Sequence, residues 1–482
     1  MKIYNKIKYA GVLVLFFFCA SCTEYLTVTP GDQLTDETAI VDINGAYTAL
    51  YGVYTGMQHQ VSYGCNMINF GDLRGGDMQP TARTDSRSIA YYSFNNRTPE
   101  NVDVNLWFRP YLLLNRANSL IAAMEAGKVT DGTVAQRNDV LGQAYTLRGL
   151  FHFDLVKLFG VPYMKDKTAP GAVIADHVIT AAEKVQRATV AETYEQAVND
   201  IKHAMTLLVT SKARNDGYIN YWAAEALLAR VYLYMGEWAE AFTAANDVIN
   251  GTGVYSLIPN NQYIASWSQP FTTESIFSLV NTTANNPSRE ALSYVSAPSG
   301  YGEIILSYAM LDLLQEDPND VRNQLVFPDK LSEKNSELRD GHCKKYSGIG
   351  GNLFVTNIPI IRLSDIYLIA AEAAWRKTPK DQASADKYLD AIRKRANPNV
   401  SFVAANDLEI IKERRKELVH EGHRFYDIMR LNLSVTRTGG RNFLNADEVV
   451  TVGWSDHLCV LPIPRLELNV NPGMLPTPGY NN

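Results

Sequence analysis

A chain of 482 residues, 46% apolar and 20% charged, has the composition of a globular protein with a sizeable core, not of a disordered segment. Its formal charge of −6 excludes a basic face for nucleic-acid phosphates, and five Cys in this length exclude a disulfide-dense scaffold. Tyrosine is abundant, 27 residues against 17 Phe and 6 Trp, which supplies many flat rings with a polar tip.

Residues 1–21 read as an address. Lys2, Lys6 and Lys8 form a positive start, and an unbroken apolar run follows from Ala10 to Cys19. The run is too short to span a bilayer, which takes about 20 residues, and has the length of a secretory signal core. Ala20 and Ser21 then precede Cys22. This looks like a bacterial lipoprotein signal with Cys22 as the lipidated residue, although Cys19 stands where Leu is usual. The alternative is an ordinary cleaved signal. Losing the three leader lysines takes the formal charge from −6 to −9. Residues 22–482 are expected to form a single domain. No later segment has the ~18 unbroken apolar residues of a membrane span. Cys65, Cys343 and Cys459 allow at most one disulfide and are expected mainly as small buried residues.

In chain order, helical periodicity predicts helices over residues 36–58, 107–124, 140–159 and 189–208. Pro110 fits the second of these only in its first turn. The third stops at Gly160-Val161-Pro162, a helix-stop signature. Residues 221–250 carry Leu228, Ala229, Tyr232, Gly236, Trp238, Ala241, Ala245 and Val248 at the offsets of a tetratricopeptide helix–turn–helix unit. Residues 361–376 with 383–396 read as a second pair, and 140–159 with 189–208 as a third. The expected fold is mainly α: a tetratricopeptide-like frame of helical pairs, an α/α superhelix, with long irregular loop insertions and a few short strands. The insertions are residues 61–100 and 251–358, the latter with a β-like run at 275–280. Loops of such length are uncommon unless functional or disordered, and their aromatic content argues against disorder.

With these segments in place, the chain resembles the SusD/RagB family of outer-membrane nutrient-uptake lipoproteins from Bacteroidota. The resemblance is carried by residues 361–376, 388–396 (YLDAIRKRA), 410–430 (IIKERRKELVHEGHRFYDIMR) and 461–480 (LPIPRLELNVNPGMLPTPGY). Residues 107–118, 144–162 (AYTLRGLFHFDLVKLFGVP) and 317–322 (DPNDVR) add to it. It implies a cell-surface protein, lipid-anchored in the outer membrane, acting as a lid over a SusC-like TonB-dependent transporter. It also implies binding of glycan fragments, or in some branches peptides, without catalysis.

The most charged run is ERRKELVHEGHR. Glu413, Glu417 and Glu421 repeat at like-charged i,i+4 spacing, which is comfortable only where Arg side chains reach in. An ion-paired scaffold is favoured over acid–base catalysis. His420 and His423 are not spaced as in a zinc hydrolase, so no metal site is expected. Arg362, Asp365, Glu372 and Arg376 likewise read as ion pairing within the fold. Gly348-Ile349-Gly350-Gly351 lacks the Lys-Ser/Thr of a phosphate loop and reads as a flexible loop. No cofactor is expected.

The aromatic insertions are the better functional candidates. Sugar rings stack apolar C–H faces on aromatic rings and bond their hydroxyls to amides, carboxylates and guanidiniums. The candidate ligand-binding residues are Asn66, Asp72, Arg74, Tyr91, Tyr92 and Trp107 from the first insertion and its exit, and Tyr294 and Tyr301 from the second. Trp267 reads as a packing residue, as the family often keeps an aromatic before this strand. The expected function is capture of an oligosaccharide and its delivery to the transporter. One alternative is the same architecture with a peptide ligand; another is a secreted glycosidase on a helical scaffold, with two carboxylates about 5–9.5 Å apart across a cleft.

Overall fold

Capping chemistry sets where the helices begin. The computed structural model describes residues 40–81, 88–94, 99, 102–211, 216–251, 253–328, 330–332, 338–438 and 449–480. The signal segment 1–21, the lipidation candidate Cys22 and positions 36–39 of the first expected helix lie outside the described residues. Helix α1 (Ile43–Met57) starts where the Asp42 carboxylate accepts from the Gly45 N–H. Helix α2 (Asn66–Gly75) follows, then α3 (Val104–Glu125), capped by Asp103. Helix α4 (Val134–Phe159) and α5 (Val190–Leu207) each begin with a capping box, Thr133 with Gln136 and Thr189 with Glu192. The expected tetratricopeptide pair is α6 (Tyr221–Met235) and α7 (Trp238–Gly251). Between them Gly236 adopts φ +76°, a left-handed cap that a residue with a Cβ adopts only at a cost.

Two further pieces complete the frame: α8 (Leu363–Arg376) with α9 (Gln382–Ala396). From α3 to α9 each helix packs against the next, and α1 packs against α3 and α4. Small residues permit the close approach; Ala223, Ala224, Ala226 and Ala229 of α6 are fully buried. All three expected pairs are therefore present in a continuous stack. Two further helices follow: α10 (Asp407–Glu417) packs on α8 and α9, and α11 (Arg424–Arg430) packs on α2.

The strands form four antiparallel ribbons among the described residues. β1 (Met78–Pro80) pairs with β3 (Ile304–Leu306), and β2 (Ser275–Leu279) pairs with β6 (Ile358–Arg362). The other two ribbons join β4 (Lys330–Ser332) to β5 (Leu338–Asp340) and β7 (Val435–Thr438) to β8 (Val449–Val452). The β2–β6 ribbon ties the second insertion to the frame, because β6 runs directly into α8. The β1–β3 ribbon brings the two insertions together.

Three expectations are corrected. The first part of the 61–100 insertion is not an irregular loop but a π-helical turn (Gln60–Gly64) followed by α2, both largely buried. Helix α3 starts at Val104, so Pro110 falls in its second turn and forfeits a backbone hydrogen bond there. Helix α4 begins at Val134, earlier than apolar periodicity suggests, because its first turn is polar and held by the capping box. Cys65, Cys343 and Cys459 are all buried.

Candidate functional site

The structure separates the expected site residues into two groups. Five of the first insertion's six are packed inside. Asp72 is fully buried; its two carboxylate oxygens accept from the backbone N–H groups of Gly422 at 2.9 Å and Arg424 at 3.3 Å. Burial pushes its carboxyl up to about 7, against the pull of those amides. Arg74 lies among Phe94, Phe70 and Phe425, with its guanidinium carbon 4.3 to 5.2 Å from their ring centres, and donates to the Leu458 carbonyl at 2.8 Å. Burial lowers that guanidinium to about 10. Tyr91 donates its hydroxyl to Asp103 at 2.6 Å, and the Arg437 guanidinium sits over the buried Tyr92 ring. Trp107 is 4% exposed; it packs on Tyr111 and Phe159 and donates to Glu467 at 3.3 Å. Asn66 is half-buried and reaches Asp103. Asp72, Arg74, Tyr91, Tyr92 and Trp107 are buried among core partners and present no face to a ligand, contrary to the expectation for them.

Tyr294 and Tyr301 behave differently. Both are partly exposed, and the structure brings them together with centroids 4.9 Å apart, edge to face. Phe354, also partly exposed, joins them at 5.3 Å from Tyr294 with a 39° tilt. The scaffold is local. Tyr294 lies on the short helix Leu292–Ser296, and the chain turns back so that the Tyr301 N–H donates to the Tyr294 carbonyl at 2.9 Å. The turn requires Gly300, where an added Cβ would sit 2.1 Å from the Tyr294 carbonyl oxygen. Ser293 donates to the Leu353 carbonyl, which anchors the loop that carries Phe354. The Thr81 N–H and hydroxyl bond the carbonyls of Glu303 and Gly302 at 2.8 and 2.6 Å, so the first insertion abuts the turn.

Phe354 lies three residues beyond Gly348-Ile349-Gly350-Gly351, and no sequence motif marks it. The chain turns back here, with the Ile349 N–H donating to the Val355 carbonyl at 2.7 Å. Asn281 and Asn285 serve structure: the Asn281 amide donates to the Thr356 carbonyl at 2.6 Å, and the Asn285 amide to Gln58 at 2.8 Å.

The charged run is an ion-paired scaffold. Glu417 is fully buried; Arg362 at 2.7 Å and Arg395 at 2.5 Å meet one oxygen, and Arg322 at 3.2 Å meets the other. Burial raises its carboxyl, but Arg395, Arg362 and Arg322 win and hold it far below the carboxylate range. Asp365 pairs with Arg230 and Arg414, and Glu372 with Arg430. Arg376 pairs with Asp407. His420 is buried neutral, with Nε2 3.2 Å from the Ser296 hydroxyl. Among the described residues no group of three or more His, Cys, Asp or Glu is arranged to hold a metal ion, and no helix is long and apolar enough to cross a membrane.

With this geometry in view, comparison with known proteins is decisive. A SusD family profile matches residues 340–480, and a second, described as starch-binding associating with outer membrane, matches residues 46–233. A SusD superfamily protein of Bacteroides vulgatus superposes with a TM-score of 0.85 at 32% identity, covering 92% of this chain and 100% of that one. The chain belongs to the SusD/RagB family. A SusD superfamily protein of Bacteroides thetaiotaomicron, 35% identical, superposes over 91% of this chain and 100% of its own with a TM-score of 0.83. SusD-like protein P25 of Formosa agariphila is 24% identical over 100% of this chain and 99% of its own. In this SusD/RagB member the exposed aromatic face sits where the two insertions meet, on a frame shared with these relatives.

Proposed function

We propose that this protein is a cell-surface lipoprotein that captures oligosaccharides on the Tyr294–Tyr301–Phe354 face and delivers them to a partner SusC-like TonB-dependent transporter, without chemistry on the ligand. The observation that carries the reading is the partly exposed three-ring cluster, built by a glycine-dependent turn at the junction of the insertions. Three rings at different tilts make a curved platform that suits a chain of sugar C–H faces. The starch-binding description of the profile over residues 46–233 supports a glycan ligand and the outer membrane as location. Cys22 supplies the anchor.

The test is a glycan panel titrated against the mature protein and its Tyr294→Ala, Tyr301→Ala and Phe354→Ala variants, with Trp107→Phe as a buried control. Each surface variant weakens binding about tenfold or more, equivalent to ~1.4 kcal/mol, and Trp107→Phe binds like the unaltered protein. Equal binding by all three surface variants refutes the site. New reducing ends in the bound glycan refute capture without chemistry. Cys22→Ser releases the protein from outer-membrane fractions, and the unaltered protein retains the transporter through detergent extraction.

A further inference from the structure

The stretch DPNDVR, residues 317–322, plays no part in the function proposed above. It forms one wall of a cleft of about 190 Å³. For scale, a cavity of about 150 Å³ is enough to take benzene. The second wall is one face of α10, where Glu409, Lys412, Glu413 and Lys416 stand at i, i+3, i+4 and i+7. The end of α9, with Arg393 and Asn397, supplies the third.

Most of the charge here is paired within the protein. Arg322 meets Asp320 at 2.6 Å and Glu413 at 2.8 Å. Asn397 donates to Asp317 at 2.8 Å, and Lys412 pairs with Glu316. Lys416 is the exception. Its side chain is 7% exposed, yet its ammonium makes no hydrogen bond; Glu316, already taken by Lys412, is 3.7 Å away. Burial, with Arg322 beside it, lowers that ammonium from its usual value. Among the described residues, Glu409 has neither a cation within 4 Å nor a side-chain hydrogen bond. Arg393 donates to the Ser401 carbonyl at 3.0 Å and has no carboxylate within 4 Å among the described residues.

A buried ammonium calls for an acceptor, best a carboxylate. Five carboxylates and four cations line the cleft, so a bare anion meets net repulsion, and a bare cation meets Lys416 and Arg393. A molecule carrying one charge of each sign avoids both. Glu409 and Lys416 are seven residues apart on α10, about 10 Å along its axis. The two charges of the ligand therefore belong at opposite ends of it.

We infer that this cleft is a second binding site, for a small zwitterion with its charges at opposite ends, a dipeptide or a straight-chain ω-amino acid, its carboxylate held by Lys416 and its ammonium by Glu409. It goes beyond the oligosaccharide reading and depends on none of its residues.

The test is calorimetry and thermal shift on the mature protein with glycylglycine and δ-aminovalerate at about 10 mM, enough to detect a millimolar Kd. N-acetylglycylglycine lacks the ammonium, glycylglycinamide lacks the carboxylate, and glycine carries both charges on one carbon. At least one of the two long zwitterions binds, and the three comparison molecules bind about tenfold more weakly or worse. Tighter binding by glycylglycine identifies a peptide ligand; tighter binding by δ-aminovalerate identifies an ω-amino acid. Lys416→Met and Glu409→Gln each weaken the bound zwitterion about tenfold. Lys416→Met also stops discriminating against glycylglycinamide, and Glu409→Gln against N-acetylglycylglycine, which a general loosening of the fold would not produce. Tyr294→Ala leaves zwitterion binding intact, which separates this site from the aromatic face. No binding by either long zwitterion, equal binding by any comparison molecule, or unaltered binding by both α10 variants overturns the inference.

Discussion

His152 shows how one side chain can be fixed in a single protonation state. Its Nε2 accepts from the Ala175 N–H at 3.0 Å, so Nδ1 carries the proton and donates to the Arg148 carbonyl at 3.0 Å. Burial lowers its pKa from 6.5 to about 4. A depressed folded value means the neutral form stabilises the fold fully above pH ~6.5, and that stability is lost as pH falls toward about 4. The full shift is worth about 3 kcal/mol. Urea midpoints measured from pH 7 to pH 4 therefore fall, and His152→Gln removes part of that slope; an unchanged slope refutes the assignment. Glu417 is the opposite kind of group, ionised and enclosed by Arg322, Arg362 and Arg395. Glu417→Gln leaves three buried guanidiniums short of a counter-charge and costs about 3–5 kcal/mol by urea denaturation. A loss below about 1 kcal/mol would show that the arginines find other partners.

At the level of elements, the Leu292–Ser296 helix and the turn to β3 form a small unit whose purpose is to place two tyrosines. Gly300→Ala puts a Cβ against the Tyr294 carbonyl oxygen, a backbone atom that cannot swing aside. Glycan affinity then falls about tenfold or more while the far-UV circular dichroism of the frame is unchanged. Preserved affinity would mean that the turn relaxes without moving the rings. The same scale explains the sequence reading. Apolar periodicity and the small residues of α6 act within a few residues, so the paired helices were legible, whereas the polar first turn of α4, held by the Thr133 capping box, was not. The charged run was legible for a related reason: like charges at i,i+4 demand arginines from elsewhere, and Arg322, Arg362 and Arg395 supply them. The burial of Trp107, Arg74, Tyr91 and Tyr92 is not legible locally, because their partners, Glu467, Leu458, Asp103 and Arg437, lie on other elements. Only Tyr91 has its partner, Asp103, nearby in sequence.

For the whole molecule, the proposed contact with ligand is between rings and a neutral chain, on a protein of formal charge −6. Screening should scarcely touch it. Raising salt from about 0.05 to about 0.5 M leaves glycan affinity within twofold, since no charged pair is made or broken. A log-linear fall with salt would mean an anionic ligand and a cationic site not yet placed.

By itself the sequence determined the helical pairs, the ion-paired charge scaffold and the resemblance to SusD/RagB proteins, because periodicity and charge spacing are local chemistry. Only tertiary structure decided which aromatic residues meet solvent. Trp107 lies under Glu467, whereas Tyr294, Tyr301 and Phe354 converge across more than one loop into an open face. Whether a ring is wall or platform depends on what packs against it, and that partner is set by chain paths no local pattern encodes.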